Sequence, residues 1–562
     1  MQKNYYEKFI LNKTIQILIK AANNRAQGTE FKPHGISNNI KYLCYLRDSV
    51  YFHPPILHKI LKQMRILFVL LYFASFSVFG QKFTKLEINE IEKSEIKGSL
   101  LTFREFLKMP NDGNYPQQIN SNLKWCINTF QSLGFKTTEI VSSKIPHLYA
   151  EYITDPKKPN VLFYLQIDGQ PVDKSAWNQS NPFEPVIKNQ EGVEISWNEI
   201  ETKIDPEWKI FGRSTSDSKG PAMCLISALN ALRKKNIPPA YNVKVIMDFQ
   251  EELSSPTIAD LVKKNRALLA ADRLVIMDGT RHISDIPTIM FGARGIATLT
   301  LTVYGAKENL HSGQYGNYAP NPALKLAKLL AGMKDDDGRV TIPGFYEGVN
   351  ITEADKKSFA EIPENMSELN AQIGIAEAEK VGESYQEAMQ YPSLNIRGLQ
   401  ASNIGKQVTT TIPNMAIAEL DLRLVPETPG SRQINLIKNY LTQHGVTLID
   451  SLPTNQQRAQ FKTLAMLKQK EGSLPFRTPM DSEIGLWLSK ATERAVGKFL
   501  KVRATGGSQP MASFIETLNV PAVSLRIPNP YNNIHAPNEN IKIKNYEEGI
   551  KMCIALLTQK AD

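Results

Sequence analysis

Cysteine is scarce in this sequence, and no two cysteines have metal-binding spacing. The 562 residues include four, Cys44, Cys126, Cys224 and Cys553. None forms a CxxC pair, which argues against a zinc site built from thiolates. Three of them lie beyond residue 80 in apolar, helix-like segments, and at most one disulfide could form among these three. We therefore expect buried structural thiols.

The sequence also lacks a basic stripe outside its first residues. The formal net charge is +10. Residues 1–63 contain ten Lys and Arg against three Asp and Glu, and Arg65 adds one positive charge, which leaves about +2 for the rest. This distribution gives no support for nucleic-acid binding. The 42% hydrophobic content is typical of a globular protein, and the length predicts more than one domain.

The apolar run at residues 64–80 is too short to span a membrane comfortably. It starts with a basic residue, Arg65, and ends in small residues, as a secretory signal peptide does. We expect cleavage after Gly80 and a periplasmic or secreted protein. Met64 is then a candidate for the true start, and residues 1–63 are a basic extension that need not belong to the protein. The alternative is an uncleaved membrane anchor.

Beyond residue 85, strands alternate with helices, as expected for an α/β protein. This pattern predicts a mostly parallel sheet with helices on both faces. After residue 292 the pattern changes to polar–apolar alternation, which predicts antiparallel strands. We therefore expect a catalytic domain at 85–292 and 466–562, and an inserted α+β domain at 293–465. The charged stretch 353–390 is predicted to be a long helical excursion inside the insert.

Acidic residues and one histidine follow the predicted apolar strands. Asp168 and Asp278 end two of these strands, the pair Glu251 and Glu252 follows a third, and His535 follows a fourth. The carboxyl ends of parallel strands meet at one edge of a sheet, so these side chains should converge. A further acid, at position 217, precedes a predicted helix. A carboxylate cluster of this kind usually holds metal.

A series of short motifs runs along the chain in a fixed order. They are Asp168-Gly-Gln-Pro171, Trp177 with Asn181-Pro-Phe-Glu-Pro185, Gly212 to Pro221, Glu251-Glu252, Gly292-Ala-Arg-Gly295, Leu310-His-Ser-Gly313 with Asn321-Pro322, Gly344-Phe-Tyr346, Arg423-Leu-Val-Pro426, Gly506-Gly-Ser-Gln-Pro510 and His535-Ala-Pro-Asn-Glu539. By these motifs the chain resembles, over roughly residues 85–562, the co-catalytic zinc metallopeptidases that include carnosine and cytosolic nonspecific dipeptidases, aminoacylase and glutamate carboxypeptidase, and it is most similar to the dipeptidase branch.

The resemblance implies a centre of two metal ions, with Zn²⁺ expected and Mn²⁺ or Co²⁺ as alternatives. Asp217 is the implied bridging ligand. Glu252 and His535 are implied ligands of one ion, and Asp278 of the other. Two ions bridged in this way share an attacking water. Glu251 is then the general base, because it is free of the metals, and Asp168 is the accompanying catalytic carboxylate.

Position 166 departs from the family pattern. The family has a histidine ligand two residues before the strand-end aspartate, and this chain has Gln166 there. A neutral amide oxygen is a poor zinc ligand. Two outcomes stay open: Gln166 presents its oxygen to metal, or one metal site is degraded. His282 is a weak candidate for the missing ligand and is expected in a loop. Ser218 stands where an acidic residue usually follows the bridging aspartate.

The resemblance also implies substrate contacts and a homodimer. His311 matches a histidine that reaches across the dimer, and Arg423 matches an arginine that holds a substrate carboxylate with its planar fork. Ser508 is a further candidate for that carboxylate. The implied dimer forms through the inserted domain. No nucleic acid or stable membrane partner is expected.

The function that follows from this resemblance is metal-dependent hydrolysis of an amide bond in dipeptides or N-acylated amino acids. A water held between the metals attacks, and Glu251 accepts its proton. The alternative is a catalytically impaired relative that binds peptides or acts as a scaffold, because Gln166 replaces a ligand.

Overall fold

The computed structural model describes residues 83–507 and 511–561. The predicted signal peptide at 64–80, Cys44 and Ser508 lie outside these residues. Within them, no helix has the length and apolar character needed to cross a membrane. Cys126, Cys224 and Cys553 are buried free thiols, which confirms the expectation for these three.

The described residues open with three helices and a run of strands, and helices alternate with strands after that. The helices are α1 Lys85–Lys93, α2 Ile96–Leu107, α3 Pro116–Ser132, α4 Lys219–Lys234, α5 Ile258–Lys264, α6 Arg266–Leu269, α7 Ser312–Tyr315, α8 Pro322–Ala331, α9 Glu353–Ala360, α10 Met366–Ile373, α11 Tyr385–Ala388, α12 Gly430–Gln443, α13 Asn455–Gln460, α14 Glu483–Val496, α15 Ala512–Leu518 and α16 Ile543–Leu557. The strands are β1 Lys136–Ser142, β2 Ile145–Tyr152, β3 Asn160–Gln166, β4 Val186–Lys188, β5 Glu194–Ile195, β6 Lys209–Phe211, β7 Asn242–Asp248, β8 Arg273–Ile276, β9 Thr288–Met290, β10 Gly292–Ala293, β11 Gly295–Tyr304, β12 Leu310–His311, β13 Ser393–Gln400, β14 Thr411–Ile412, β15 Met415–Leu424, β16 Thr447–Leu448, β17 Leu464–Glu471, β18 Phe476–Arg477, β19 Leu500–Val502, β20 Ala522–Arg526 and β21 Asn540–Lys542.

An eight-stranded sheet forms the larger layer, in the order β1-β2-β7-β3-β8-β20-β9-β19. Its four central strands, β7, β3, β8 and β20, run parallel. Antiparallel pairs flank them, β2 with β7 on one side and β20 with β9 on the other. This arrangement confirms the predicted fold class, because the continuous apolar runs of the sequence lie in the central parallel strands.

Both faces of this sheet are covered. Along β3, Val161 and Phe163 join one apolar cluster, whereas Leu162 and Tyr164 join another. Helices α2, α3, α4, α14 and α16 contribute to the first cluster, and α5 and α15 to the second. Alternate residues of a strand point to opposite faces, so a continuous apolar strand needs helices on both sides.

A separate five-stranded sheet has the order β13-β15-β11-β17-β16. The long strands β11 and β15 are antiparallel and alternate between buried and half-buried residues, as predicted. Helices α8 and α12 pack on the buried face and form a cluster of their own with it. Strand β17 continues to residue 471, past the expected end of the insert at 465. The domain boundaries therefore stay a prediction.

The predicted long helical excursion at 353–390 is wrong. This stretch contains three short helices, α9, α10 and α11. Pro363 lies between the first two, Gly374 ends the second with a left-handed backbone, and Gly382 also has a positive φ before the third. Proline and left-handed glycine each stop a helix, so the Ala- and Glu-rich composition does not produce a continuous one.

Candidate active site

The predicted acidic residues meet at the carboxyl edge of the parallel strands. Strand β3 ends at Gln166, directly opposite Asp248 at the end of β7, and β8 continues the same edge on the other side of β3. Asp168, Glu251 and the acid at position 278 follow these three ends. Because neighbouring parallel strands end together, residues far apart in sequence become neighbours.

Three of the predicted ligands form a compact group: Asp217, Glu252 and His535 offer ligand atoms that all lie within 4.8 Å of one another. His535 Nε2 lies 3.0 Å from Oδ2 of Asp217 and 3.2 Å from Oε2 of Glu252. Gln170 Nε2 donates to Oε2 of Glu252 at 2.8 Å. The other oxygen of Glu252 is buried without a hydrogen-bond partner. One nitrogen and two carboxylate ligands fit a zinc ion, and the unpartnered oxygen leaves capacity for it.

Hydrogen bonds that the imidazole donates to the carboxylates of Asp217 and Glu252 raise the pKa of His535 to about 10. The metal-free site therefore holds a proton on the imidazole, between Asp217 and Glu252. Since a metal ion requires neutral imidazole, the ion and this proton compete for one place.

Asp168 positions the glutamate pair through the backbone. Its Oδ1 accepts from the N–H of Glu251 and its Oδ2 from the N–H of Glu252, each at 3.0 Å. Both bonds act on consecutive residues, so they fix which way each glutamate side chain leaves the loop. Burial, followed by the nearby charge of Asp248, raises the pKa of Asp168.

Glu251 is the most crowded of the carboxylates. Burial raises its pKa well above the usual value, and the charges of Asp278, Asp217, Glu252 and Asp168 add to the effect in that order. A carboxylate with a raised pKa holds a proton more strongly, which suits a general base that takes and returns one.

Beneath this pair lies a buried polar network that sequence reasoning missed. Asp248 accepts from Ser255 Oγ at 2.5 Å, from Tyr164 Oη at 3.2 Å and from the N–H of Gln250 at 2.9 Å. His147 Nε2 lies 3.5 Å from the same carboxylate. The network ties both ends of the turn that carries the glutamate pair. An aspartate directly after the apolar residues 245–247 was the available signal.

The loop that carries Asp217 is held by Glu539. This fully buried carboxylate accepts from the N–H groups of Ser214, Ser216 and Asp217 at 2.8–2.9 Å, and from Arg213 Nη1 at 2.8 Å. In the sequence Glu539 ends the motif that begins at His535, and the motif alone does not indicate a role for it. Its position four residues after the histidine ligand was the signal, because it joins the two ligand-bearing loops.

The second implied metal position has a different environment. Gln166 donates its amide Nε2 to Oδ1 of Asp217, and its own oxygen is buried without a partner. Ser218 Oγ donates to the same Asp217 oxygen at 2.9 Å and approaches Oδ1 of Asp278 at 3.4 Å. Donors therefore face the oxygens that a second ion would need. The described residues fit one metal ion at Asp217, Glu252 and His535. At the second position Gln166 and Ser218 both donate to Oδ1 of Asp217, and the oxygen of Gln166 is the unpartnered acceptor that remains among these side chains.

The predicted substrate residues lie on two different sheets, His311 on the two-stranded sheet β12-β14 and Arg423 on the five-stranded sheet. His311, on β12, accepts from the N–H of Gly313 at 3.0 Å through Nδ1, and its Nε2 lies 3.4 Å from Thr410 Oγ1. Arg423 lies near the end of β15, opposite Ile296 of β11. None of these contacts involves a metal ligand, so the roles of His311 and Arg423 stay predictions.

His282 lies in a loop, as expected. Its Nε2 lies 3.0 Å from Glu364 Oε1, and its Nδ1 contacts Ser284. These partners account for both ring nitrogens, so His282 does not replace the missing ligand.

A mostly parallel sheet whose edge carries two carboxylates and a histidine within reach of one ion, with a further glutamate next to them, is typical of a metal-dependent hydrolase. The chain belongs to peptidase family M20/M25/M40, whose model matches residues 162–559. Within that family it is a hydrolase of the dipeptidase branch.

Two relatives and one solved structure illustrate the similarity. The chain is 25% identical to Beta-Ala-His dipeptidase of Homo sapiens, over 82% of this chain and 89% of that protein. It is also 25% identical to a Cys-Gly metallodipeptidase of Schizosaccharomyces pombe, over 72% and 81%. A family M20 metallo-carboxypeptidase from Sulfolobus solfataricus matches with a TM-score of 0.67 and 29% identity, over 82% of this chain and 99% of that one.

Proposed function

We propose that the chain catalyses metal-dependent hydrolysis of an amide bond in dipeptides or N-acylated amino acids. One observation carries the proposal: Asp168 fixes two consecutive glutamates, of which Glu252 joins the group with His535 and Glu251 stays outside it. The dipeptidase relatives support a small peptide substrate, and β-Ala-His and Cys-Gly are the first compounds to test.

Asp217, Glu252 and His535 would hold the metal ion. A divalent ion supplies Lewis-acid activation of water and of the substrate carbonyl. The chain's own part is to fix the ligand geometry: Glu539 holds the backbone of Asp217, and Gln170 orients Glu252.

Glu251 moves the proton. Its carboxylate accepts a proton from the attacking water and delivers it to the nitrogen of the leaving amine. Burial, together with the surrounding acidic side chains, raises its pKa, so the proton is retained until the amine departs. Asp168 keeps this carboxylate in place through the backbone and touches neither reacting group.

The substrate's free carboxylate would bind Arg423, with Ser508 as a second donor, and His311 would act across a homodimer.

Export of the protein through a signal peptide at residues 64–80 is a further proposal. Sedimentation of the purified protein tests the dimer, and N-terminal sequencing of exported protein tests cleavage after Gly80. Full activity in a monomer would remove His311 from the site.

The function is tested by a hydrolysis screen of dipeptides and N-acetyl amino acids, with Zn²⁺, Mn²⁺ and Co²⁺ added separately to chelator-treated protein. We expect turnover with at least one ion, and turnover about 10²–10⁴-fold lower in Glu251→Gln. Glu139→Gln, on an exposed position of β1, is the matched control and should keep full activity. Absence of hydrolysis on every compound with every ion would contradict the proposal.

A further inference from the structure

A guanidinium group is buried at the end of the central strand β20. Arg526 is 5% exposed, and its Nε and Nη2 atoms are buried without a hydrogen-bond partner. The rest of this strand, Ala522 to Leu525, is buried and carries no charged residue. A buried cation with unpartnered N–H groups is costly unless negative charge compensates it. The position of Arg526 therefore needs a reason.

The strand register brings Arg526 to the edge where the acidic residues collect. Strand β20 runs parallel to β8, with Ser524 opposite Ile276, so Arg526 is level with Asp278, which follows β8. Ser524 Oγ donates to the backbone carbonyl of Asp278 at 3.1 Å. Gly279 has a φ of +87°, and a Cβ atom there would overlap with Nη1 of Arg526. The glycine thus leaves room for the guanidinium beside the aspartate.

The charges that act on this guanidinium belong to two of the implied metal ligands. Burial lowers the pKa of Arg526, and the carboxylates of Asp278 and Asp217 oppose that change. The same two carboxylates receive the Ser218 hydroxyl, and Asp217 also receives the amide of Gln166. A carboxylate pair that normally requires a cation is here supplied with one cation and two neutral donors from the chain itself.

We propose that Arg526, with the amide of Gln166, is the built-in counter-charge of Asp278 and Asp217, so that the active site binds a single metal ion at Asp217, Glu252 and His535. The inference rests on the proposed function only for the presence of that first ion. It replaces the expectation of two ions that the family resemblance implies.

Gln166 and Arg526 act together in this arrangement. An ion between Asp278 and Asp217 would face the NH₂ group of Gln166 and a fixed positive charge, and both oppose a divalent cation. Replacing Gln166 by histidine supplies a nitrogen ligand but leaves the charge. Both positions therefore have to change before a second ion binds.

The test is the number of zinc ions bound per chain, measured by mass spectrometry of the metal after equilibrium dialysis against Zn²⁺. The wild-type protein, Gln166→His and Arg526→Lys should each bind one ion, because the positive charge remains. Gln166→His with Arg526→Met should bind two, with the affinity for the second ion raised by about 10–100-fold, the range that single supporting groups contribute at metal sites.

Arg494→Met is the control for losing a guanidinium elsewhere. Arg494 donates to the backbone carbonyls of Phe83 and Ala555, far from any ligand in sequence. Combined with Gln166→His, this change should leave one ion per chain. The contrast separates the charge at position 526 from general loosening of the fold.

Two results would overturn the inference. One is tight binding of two ions by the wild-type protein, which does not depend on any variant folding. The other is a Gln166→His/Arg526→Met protein that keeps its native circular dichroism and still binds one ion. Neither measurement uses a substrate. A lack of peptide hydrolysis would therefore contradict the proposed function without affecting this inference.

Discussion

Replacing Glu539 by glutamine should weaken both the fold and metal binding. Glu539 accepts four hydrogen bonds, three from backbone N–H groups and one from Arg213. A glutamine keeps one acceptor oxygen, and its NH₂ group must face two of the donors. The lost bonds to a charged group contribute about 1.5–3 kcal/mol each. Leaving the buried Arg213 without its partner costs about 3–5 kcal/mol.

Because these two contributions overlap at Arg213, we expect Glu539→Gln to lower the free energy of unfolding by about 3–5 kcal/mol in urea denaturation. The same change frees the backbone of Asp217, so zinc affinity measured by titration calorimetry should fall about 10–100-fold.

Glu548→Gln provides the matched control. Glu548 pairs with the buried Arg281 at 2.5 Å, outside the metal ligands. This variant should lose stability and keep its zinc affinity. Unchanged zinc affinity in a folded Glu539→Gln protein would refute the role of Glu539 in holding Asp217.

Three further predictions concern the site. Glu251→Gln should lower kcat by about 10²–10⁴-fold and leave the zinc content unchanged. Steady-state kinetics and metal analysis measure these two quantities, and a normal kcat would show that Glu251 is not the general base. His535 has a pKa raised from 6.5 to about 10, so its stabilising contact in the metal-free protein is complete below pH 6.5 and is lost as pH rises through about 10. Zinc binding at pH 7.5 should therefore release about one proton per chain, which calorimetry in buffers of different ionisation enthalpy measures. Zinc binding without proton release would contradict the raised pKa of His535. Arg423→Lys should raise KM for substrates with a free carboxylate more than it lowers kcat, because lysine lacks the bidentate fork, and an unchanged KM would exclude that contact.

Much of the sheet and several site residues could be predicted because their signals are local. An apolar run followed by an acid, as at Val161 to Asp168, marks both a buried strand and a functional edge. Parallel pairing then brings separate strand ends together without further information. The same reasoning found the antiparallel strands β11 and β15, whose alternation is visible in the sequence.

The supporting residues could not be predicted from local pattern. Glu539 and Asp248 act through hydrogen bonds, and the residues next to them in the sequence do not indicate which groups donate these bonds. Arg526 is a charged residue inside an apolar run of the sequence, but its role depends on the neighbouring strand β8, which leads to Asp278. The composition of residues 353–390 favours one long helix, but Pro363, Gly374 and Gly382 divide the segment into three short ones.

The most direct test of the proposed chemistry is a zinc titration of chelator-treated protein during hydrolysis of β-Ala-His and Cys-Gly. We expect hydrolysis of at least one of them to disappear on chelation and to return as zinc is added, in the wild type and in Glu139→Gln. In Glu251→Gln, zinc should bind without restoring turnover. Hydrolysis that survives complete metal removal, or that zinc restores in Glu251→Gln, would contradict a metal-dependent mechanism with Glu251 as its base.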